Sequence, residues 1–175
     1  MKKGLIAIPF LAVLVGCSSD IDMVKDGVME FNKTTTLGEA LDNWGSCGKR
    51  VWESFETESG VKVVEFSCSH DLSDFMEKAR SIRLEKANDE AEYFNIESMI
   101  QTFQFTINKD DTFQVDNVQA RTTWNDGTAF EDSQQPVEQL AKAYRNEIAF
   151  NADELDEYAV SQLSYVFSMI KAQAK

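Results

Sequence analysis

The sequence predicts an α+β domain: an antiparallel sheet of four or five strands, built from two hairpins and packed against helices, with two helices at the C-terminal end. Three observations carry this. Val51 to Glu56 and Val61 to Cys68 are short β-rich runs joined by Thr57-Glu58-Ser59-Gly60, which is a turn by composition. Thr102-Phe103-Gln104-Phe105-Thr106-Ile107 alternates apolar and polar, and a second β-rich run follows the turn Asn108-Lys109-Asp110-Asp111. Helical apolar spacing stands before, between and after these hairpins, the order expected of a sheet backed by helices.

The elements follow in order. Residues 18–33 read as a tether with a short extended element from Val24 to Phe31, where Met29 and Phe31 are placed to dock on the domain. Thr36-Leu37-Gly38-Glu39 fits the capping box, in which hydroxyl and carboxylate satisfy the free amides of a helix start. The helix it opens puts Leu37, Ala40, Leu41 and Trp44 on one face, and Gly45 and Gly48 stop it. In the first hairpin Val64 and Phe66 share a face while Val61 and Val63 lie on the other, so both faces are expected to be covered. Asp71 caps a helix from Leu72, with Phe75, Met76, Ala79 and Ile82 at helical spacing. Glu85 to Glu92 either continues that helix or forms an exposed link, and Tyr93, Phe94 and Ile96 return to the core.

In the second hairpin the apolar parity switches between Phe113/Val115 and Val118/Ala120, which predicts a bulge at Asp116-Asn117. The strand runs on to Trp124 and a turn at Asn125-Asp126-Gly127. Pro136 opens a helix with Val137, Leu140, Ala141, Tyr144 and Ile148 inward. Asn151 caps a last helix striped by Leu155, Ala159, Leu163, Val166, Phe167 and Ile170; the stripe is core packing or a partner-binding face.

The first residues have a separate logic. Met1-Lys2-Lys3 is a positive cap, and Gly4 to Val15 is almost wholly apolar but shorter than the roughly 20 residues of a spanning helix. Leu14-Val15-Gly16-Cys17 resembles the lipobox of bacterial lipoproteins. The resemblance implies a signal peptide over residues 1–16, cleavage before Cys17, and acyl chains on its sulfur and new amino group. It also implies a lipidated N-terminus and tether over 17–33 and a single periplasmic α+β domain over 34–175. Asp20 comes too late after Cys17 for the inner-membrane retention pattern, so the implied location is the periplasmic face of an outer membrane. Three acyl chains exceed what stable anchoring needs. The runs Val24-Lys25-Asp26-Gly27, Thr36-Leu37-Gly38-Glu39-Ala40, Trp52-Glu53-Ser54-Phe55 and Gly60-Val61-Lys62-Val63-Val64-Glu65-Phe66 are similar to those of a group of small proteobacterial lipoproteins (V-K-x-G, T-x-G-x-A, W-x-x-F, G-x-x-V-V-x-F). That likeness brings no catalytic residue with it.

Removing residues 1–16 leaves 159 residues, enough for one domain with its own core, and 15 basic against 30 acidic side chains, a net charge of −15. Such a surface repels nucleic acid and anionic lipid headgroups. With Cys17 assigned to lipid, Cys47 and Cys68 remain as an even pair in an oxidising compartment, and a disulfide is expected. The rival is a metal site of Cys68, His70 and Asp71, which lacks the paired ligand spacing of zinc sites. His70 otherwise reads as a loop or helix-start residue.

A catalytic set is not legible. The one histidine has only Ser67, Ser69 and Ser73 near it in sequence, in no nucleophile-elbow pattern. The acid pairs Asp110-Asp111, Glu131-Asp132, Asp153-Glu154 and Asp156-Glu157 read as turn and helix-start residues. No phosphate loop or dinucleotide fingerprint is present, and no cofactor or metal is expected. Trp44, Trp52 and Trp124 are core residues or, alternatively, a candidate interaction or ligand face. The functional expectation is a non-catalytic envelope module bound to the membrane by its lipid and to another envelope protein. The alternative is a periplasmic binding protein for a small apolar ligand or peptide.

Overall fold

The structure is a computed structural model that describes residues 18–84 and 89–175. The expected signal peptide and lipidation site, residues 1–17, and part of the Glu85–Glu92 stretch lie outside the described residues. The element order is α1 (Ser18–Asp26), α2 (Leu37–Asp42), β1 (Cys47–Glu56), β2 (Lys62–His70), α3 (Ser73–Leu84), β3 (Ile96–Ile107), β4 (Phe113–Trp124), β5 (Ala129–Ser133), α4 (Pro136–Tyr144) and α5 (Glu157–Lys171). Short 3-10 turns occupy Asp89–Phe94 and Ala152–Glu154. The five strands form one open antiparallel sheet in the order β1-β2-β3-β4-β5, so the α+β fold, with its two C-terminal helices, is as predicted.

One face of the central strands nucleates the core. Register pairs Val64 with Phe105, Phe66 with Phe103 and Cys68 with Gln101, and pairs Phe103 with Val118. Partners on antiparallel strands share a face, so Val64, Phe66, Phe103, Phe105 and Val118 stand together, and all are fully buried. Each buried phenylalanine contributes about 1.5–3 kcal/mol of apolar transfer. Helices α1, α2 and α4 cover this patch with Val24, Leu37, Leu41, Leu140 and Ala143, joined by Trp44 from the turn after α2. A second core lies toward the other end of the sheet, where Trp124 and Ile96 meet Phe75, Met76 and Ala79 of α3 and Val160 and Phe167 of α5.

Local signals explain the elements. The capping box at α2 is complete: Thr36 Oγ1 accepts from the Glu39 amide at 3.1 Å, and the Glu39 carboxylate accepts from the Thr36 amide at 2.9 Å. The parity switch in β4 is a bulge. Gln104 pairs with Asn117 and Phe105 with Val115, which leaves Asp116 as the extra residue. The turn after Trp124 uses Gly127 at φ +83°, a conformation open to glycine.

Several expectations are corrected. Residues 18–26 are not a tether with an extended element but a helix. Ile21 and Val24, one turn apart, face the core, and Asp20 is buried in an ion pair with Lys62 at 3.2 Å. Lys25 closes the helix against Asp42 at 2.6 Å and lies over the Trp52 ring. Gly38 lets α2 approach α1: a Cβ there would lie 2.9 Å from Cβ of Lys25 and 3.0 Å from its carbonyl. Met29 docks on the core as expected, whereas Phe31 stays half exposed and meets Tyr144 edge-on at 5.2 Å.

β1 starts at Cys47, with Gly48 in a register shift rather than in a helix stop. A fifth strand follows Gly127, and its edge exchanges backbone hydrogen bonds between Ala129 and Lys175. Helix α4 turns Gln139, Leu140 and Ala143 inward and leaves Val137 exposed; it ends at Tyr144, so exposed Ile148 lies beyond it. Helix α5 is capped by Asp156, not Asn151, and buries Val160, Ser164 and Phe167. Val166, placed on the inner stripe by the sequence, points outward.

Cys47 and Cys68 form the expected disulfide, with S–S 2.03 Å across a separation of 21 residues. Closing a loop of that length constrains the unfolded chain by about 3 kcal/mol in the chain-entropy model. Replacing both cysteines by alanine is therefore expected to lower the free energy of unfolding by about 2–4 kcal/mol. Urea unfolding of the oxidised protein and of the double variant measures this, and coincident curves would contradict it.

Candidate functional site

A cavity of about 320 Å³ opens between the two cores, on the same face of the sheet as the phenylalanines. Its floor follows from strand parity. Met99, Gln101, Phe103 and Phe105 alternate along one face of β3, so Gln101 occupies a core-facing position. Across β4 the register brings Ala120 opposite Gln101 and Thr122 opposite Met99. Gln101 is 5% exposed and Thr122 4%. Helix α4 supplies one wall with Gln139 and Lys142, and the segment Glu147–Phe150 supplies another.

Hydrogen bonds fix the second wall. The indole of Trp44 donates to the Glu147 carbonyl at 2.7 Å, the Gly45 amide donates to Asn146 Oδ1 at 2.6 Å, and the Ala149 amide donates to Ser46 Oγ at 3.1 Å. The turn 44–46 leads directly into Cys47, so the disulfide joins this whole assembly to β2.

His70 ends β2 and borders the cavity, wedged edge-on against Trp44 at 5.6 Å and Phe150 at 5.2 Å. It is a strand residue, not the loop or helix-start residue expected. Its Nδ1 lies 2.9 Å from Ser46 Oγ. The Gln101 amide donates to Gln134 Oε1 at 2.7 Å and to Gln139 Oε1 at 3.2 Å. That uses both its hydrogens and leaves its carbonyl for the His70 ring. The same Nδ1 lies 3.2 Å from the Ser46 carbonyl oxygen, which accepts only from a protonated Nδ1, so the ring tautomer is set by which of the two Ser46 oxygens it engages. Burial pushes the imidazole pKa below its ordinary value, more than the hydrogen bonds to the Ser46 carbonyl and the Gln101 side chain raise it.

The residues singled out by sequence fall as follows. Ser46, not Ser67, Ser69 or Ser73, partners His70. It is buried and its oxygen also accepts from Ala149, so it is a bracing hydroxyl rather than an accessible one. The metal alternative is corrected: Cys68 is consumed by the disulfide, and Asp71 accepts from the Ser73 amide and hydroxyl at the start of α3. Among the described residues no group of three or more His, Cys, Asp or Glu side chains is placed to hold a metal.

Asp110 accepts from Thr112 in the β3–β4 turn, which holds its carboxyl below the usual range. Asp156 caps α5, while Glu131 and Asp132 lie on β5 rather than at a turn, with Glu131 paired to Arg121. The three tryptophans do not form one exposed cluster. Trp44 is buried in the first core and Trp124 in the second, and half-buried Trp52 lies tilted against Phe66 at 4.8 Å and donates to Asp42 at 2.8 Å. Only Trp44 touches the cavity.

A second feature lies on the outside of α5. Tyr158 and Tyr165 are 73% and 65% exposed, and Val166 and Met169 are about half exposed. Residues 158, 165 and 169 stack along one side of the helix, with 166 beside them. The cavity was missed in the sequence because Gln101 reads as an ordinary strand glutamine. Its phase with Phe103 and Phe105 was the available signal. Comparison with models of known protein families, with curated proteins and with solved structures finds no match. Among the described residues no helix is long and apolar enough to cross a membrane.

The His70 ring yields a pH prediction. Its folded pKa lies below its unfolded value of about 6.5, so the unfolded chain binds more protons in the window beneath 6.5. Stability from this group is full above that pH and falls as pH drops through it. The thermal midpoint of the native protein is expected to decline below pH 6.5 more steeply than that of a His70→Gln variant. Parallel melting profiles from pH 8 to 5 would refute this.

Proposed function

We propose that this chain is a lipid-anchored, non-catalytic module of the bacterial envelope that binds another envelope protein through the outer face of α5. The observation that carries the docking face is the row of Tyr158, Tyr165, Val166 and Met169. Large apolar side chains clustered on one helix face exceed the scattered exposure normal for a soluble surface, and tyrosine gives broad contact area at low entropic cost. The opposite side of α5 is committed to the core through Val160 and Phe167, and Phe167 meets Phe94 edge-on at 5.4 Å. The helix is therefore a rigid platform for the outer row. The lipobox-like Leu14-Val15-Gly16-Cys17 supports the anchor, and the net charge of the chain favours a partner with a basic or neutral surface over nucleic acid.

Two measurements test the reading. Labelled palmitate is expected to enter the wild-type protein and not a Cys17→Ser variant, which would leave the membrane fraction; equal labelling, or none in either, removes the anchor. A photo-crosslinking residue at position 165 is expected to trap a discrete adduct in intact cells, with the yield falling at least fivefold when Tyr158 and Met169 become serine. The same probe at Lys109, in the β3–β4 turn, is the control. Equal adducts at the two positions would remove the docking face.

A further inference from the structure

The cavity between the two cores points to a second binding function, independent of the face on α5. Its polar groups are unequally spent. Gln134 Oε1 and Gln139 Oε1 both accept from Gln101, and Gln139 Oε1 also accepts from Lys142 Nζ at 3.3 Å. The amide nitrogens of Gln134 and Gln139 and the hydroxyl of Thr122 make no hydrogen bond among the described residues, and none of them is sealed from space. Gln139 is only 9% exposed, so these groups belong to an interior wall. Both glutamine oxygens already accept while their amide nitrogens do not donate, and the Thr122 hydroxyl is free to donate beside them.

A cation completes the set. Lys142 borders the cavity, partly exposed, in a 3.4 Å pair with the open carboxylate of Glu138. Exposed pairs of this kind are worth little and exchange readily. Glu147 also borders the cavity, but its carboxylate is held by Arg145 at 2.6 Å. Arg121 borders it too, with its guanidinium paired to Glu131. Apart from His70 and these polar groups the lining is apolar, with Met99, Ile148 and Phe150 beside Trp44. The volume suits a small molecule.

We propose that this cavity binds a carboxylate carried on a compact apolar body. The carboxylate accepts from Thr122, Gln134 and Gln139 and pairs with Lys142, and the apolar body lies against Met99, Ile148 and Phe150. Charge-assisted hydrogen bonds from several donors are stronger than neutral ones, and a donor-lined wall left unfilled gives the acid its advantage over an amide or an amine. This narrows the alternative expectation of a small apolar ligand or peptide to one that carries an acid group. The same chemistry belongs to a free small acid and to the C-terminal residue of a polypeptide.

The test uses the full-length chain in detergent, with 3-phenylpropionate, its primary amide and the corresponding amine as probes at pH 7. Side-chain amide resonances in a ¹⁵N–¹H correlation spectrum report binding. The acid is expected to shift the glutamine signals saturably, with the amide and amine at least tenfold weaker. Thr122→Val and Lys142→Met are each expected to weaken the acid at least fivefold. Lys142 sits at the rim, so K142M keeps the test alive if T122V does not fold. A tetrapeptide ending in phenylalanine, as free acid and as amide, separates the two sources: tighter binding of the peptide acid assigns a chain end, and tighter binding of the free acid assigns a small molecule. Absence of saturable shifts, equal affinity for acid and amide, or unchanged affinity in folded K142M would overturn the proposal.

Discussion

Val64, Phe66, Phe103 and Phe105 stand on one face of two adjacent strands, and the position of the helices follows from the need to cover them. Antiparallel pairing leaves no freedom in this. A slip of one residue would turn every one of these side chains to the opposite face. The bulge at Asp116 works within the same constraint, since it returns Val115 to the face of Phe105 after Val118 has paired with Phe103. Helices α1, α2 and α4 then close over one end of the patch and α3 and α5 over the other. The interruption in the apolar row, at Gln101, falls where the two groups of helices part. The cavity is thus a product of the strand pattern, not of loose packing.

Much of this architecture was readable from residue order. The capping box, both hairpins, the bulge and the glycine turn depend on neighbours a few positions apart, and such short-range chemistry acts before tertiary structure exists. Helix α1 was illegible because Asp20 and Asp22 break its apolar stripe. The ion pair with Lys62, 42 residues away, is what makes Asp20 tolerable inside. The stripe of the last helix was legible apart from its edges: Leu155, Ala159, Leu163, Phe167 and Ile170 pack into the second core, but apolar residues nearly all round α5 hid that Val160 turns inward and Val166 outward. Helix α4 shows the same limit, because the glutamine it turns inward is stabilised by Gln101 on a distant strand.

The partnership of Ser46 and His70 was hidden in the same way. Twenty-four residues separate them, and they meet because the disulfide brings the start of β1 against the end of β2. The serine and the histidine brace one wall of the cavity through Ala149, while Trp44 and Gly45 hold Glu147 and Asn146. Redox state, imidazole protonation and the shape of that wall are therefore three properties of one assembly. A change in any of them reaches the others through contacts of ordinary hydrogen-bond length, with no long-range rearrangement required.

Helix α1 is pinned to the body from its first turn by Asp20, Ile21 and Val24. The strand from Lys62 to His70 rises about 3.3 Å per residue, so the cavity lies roughly 25 Å along the sheet from the Asp20–Lys62 pair. If Cys17 carried the proposed acyl chains, a helix docked from its first turn would leave the domain little leash, and its attitude on a leaflet would be restricted by the same contacts that pack the helix.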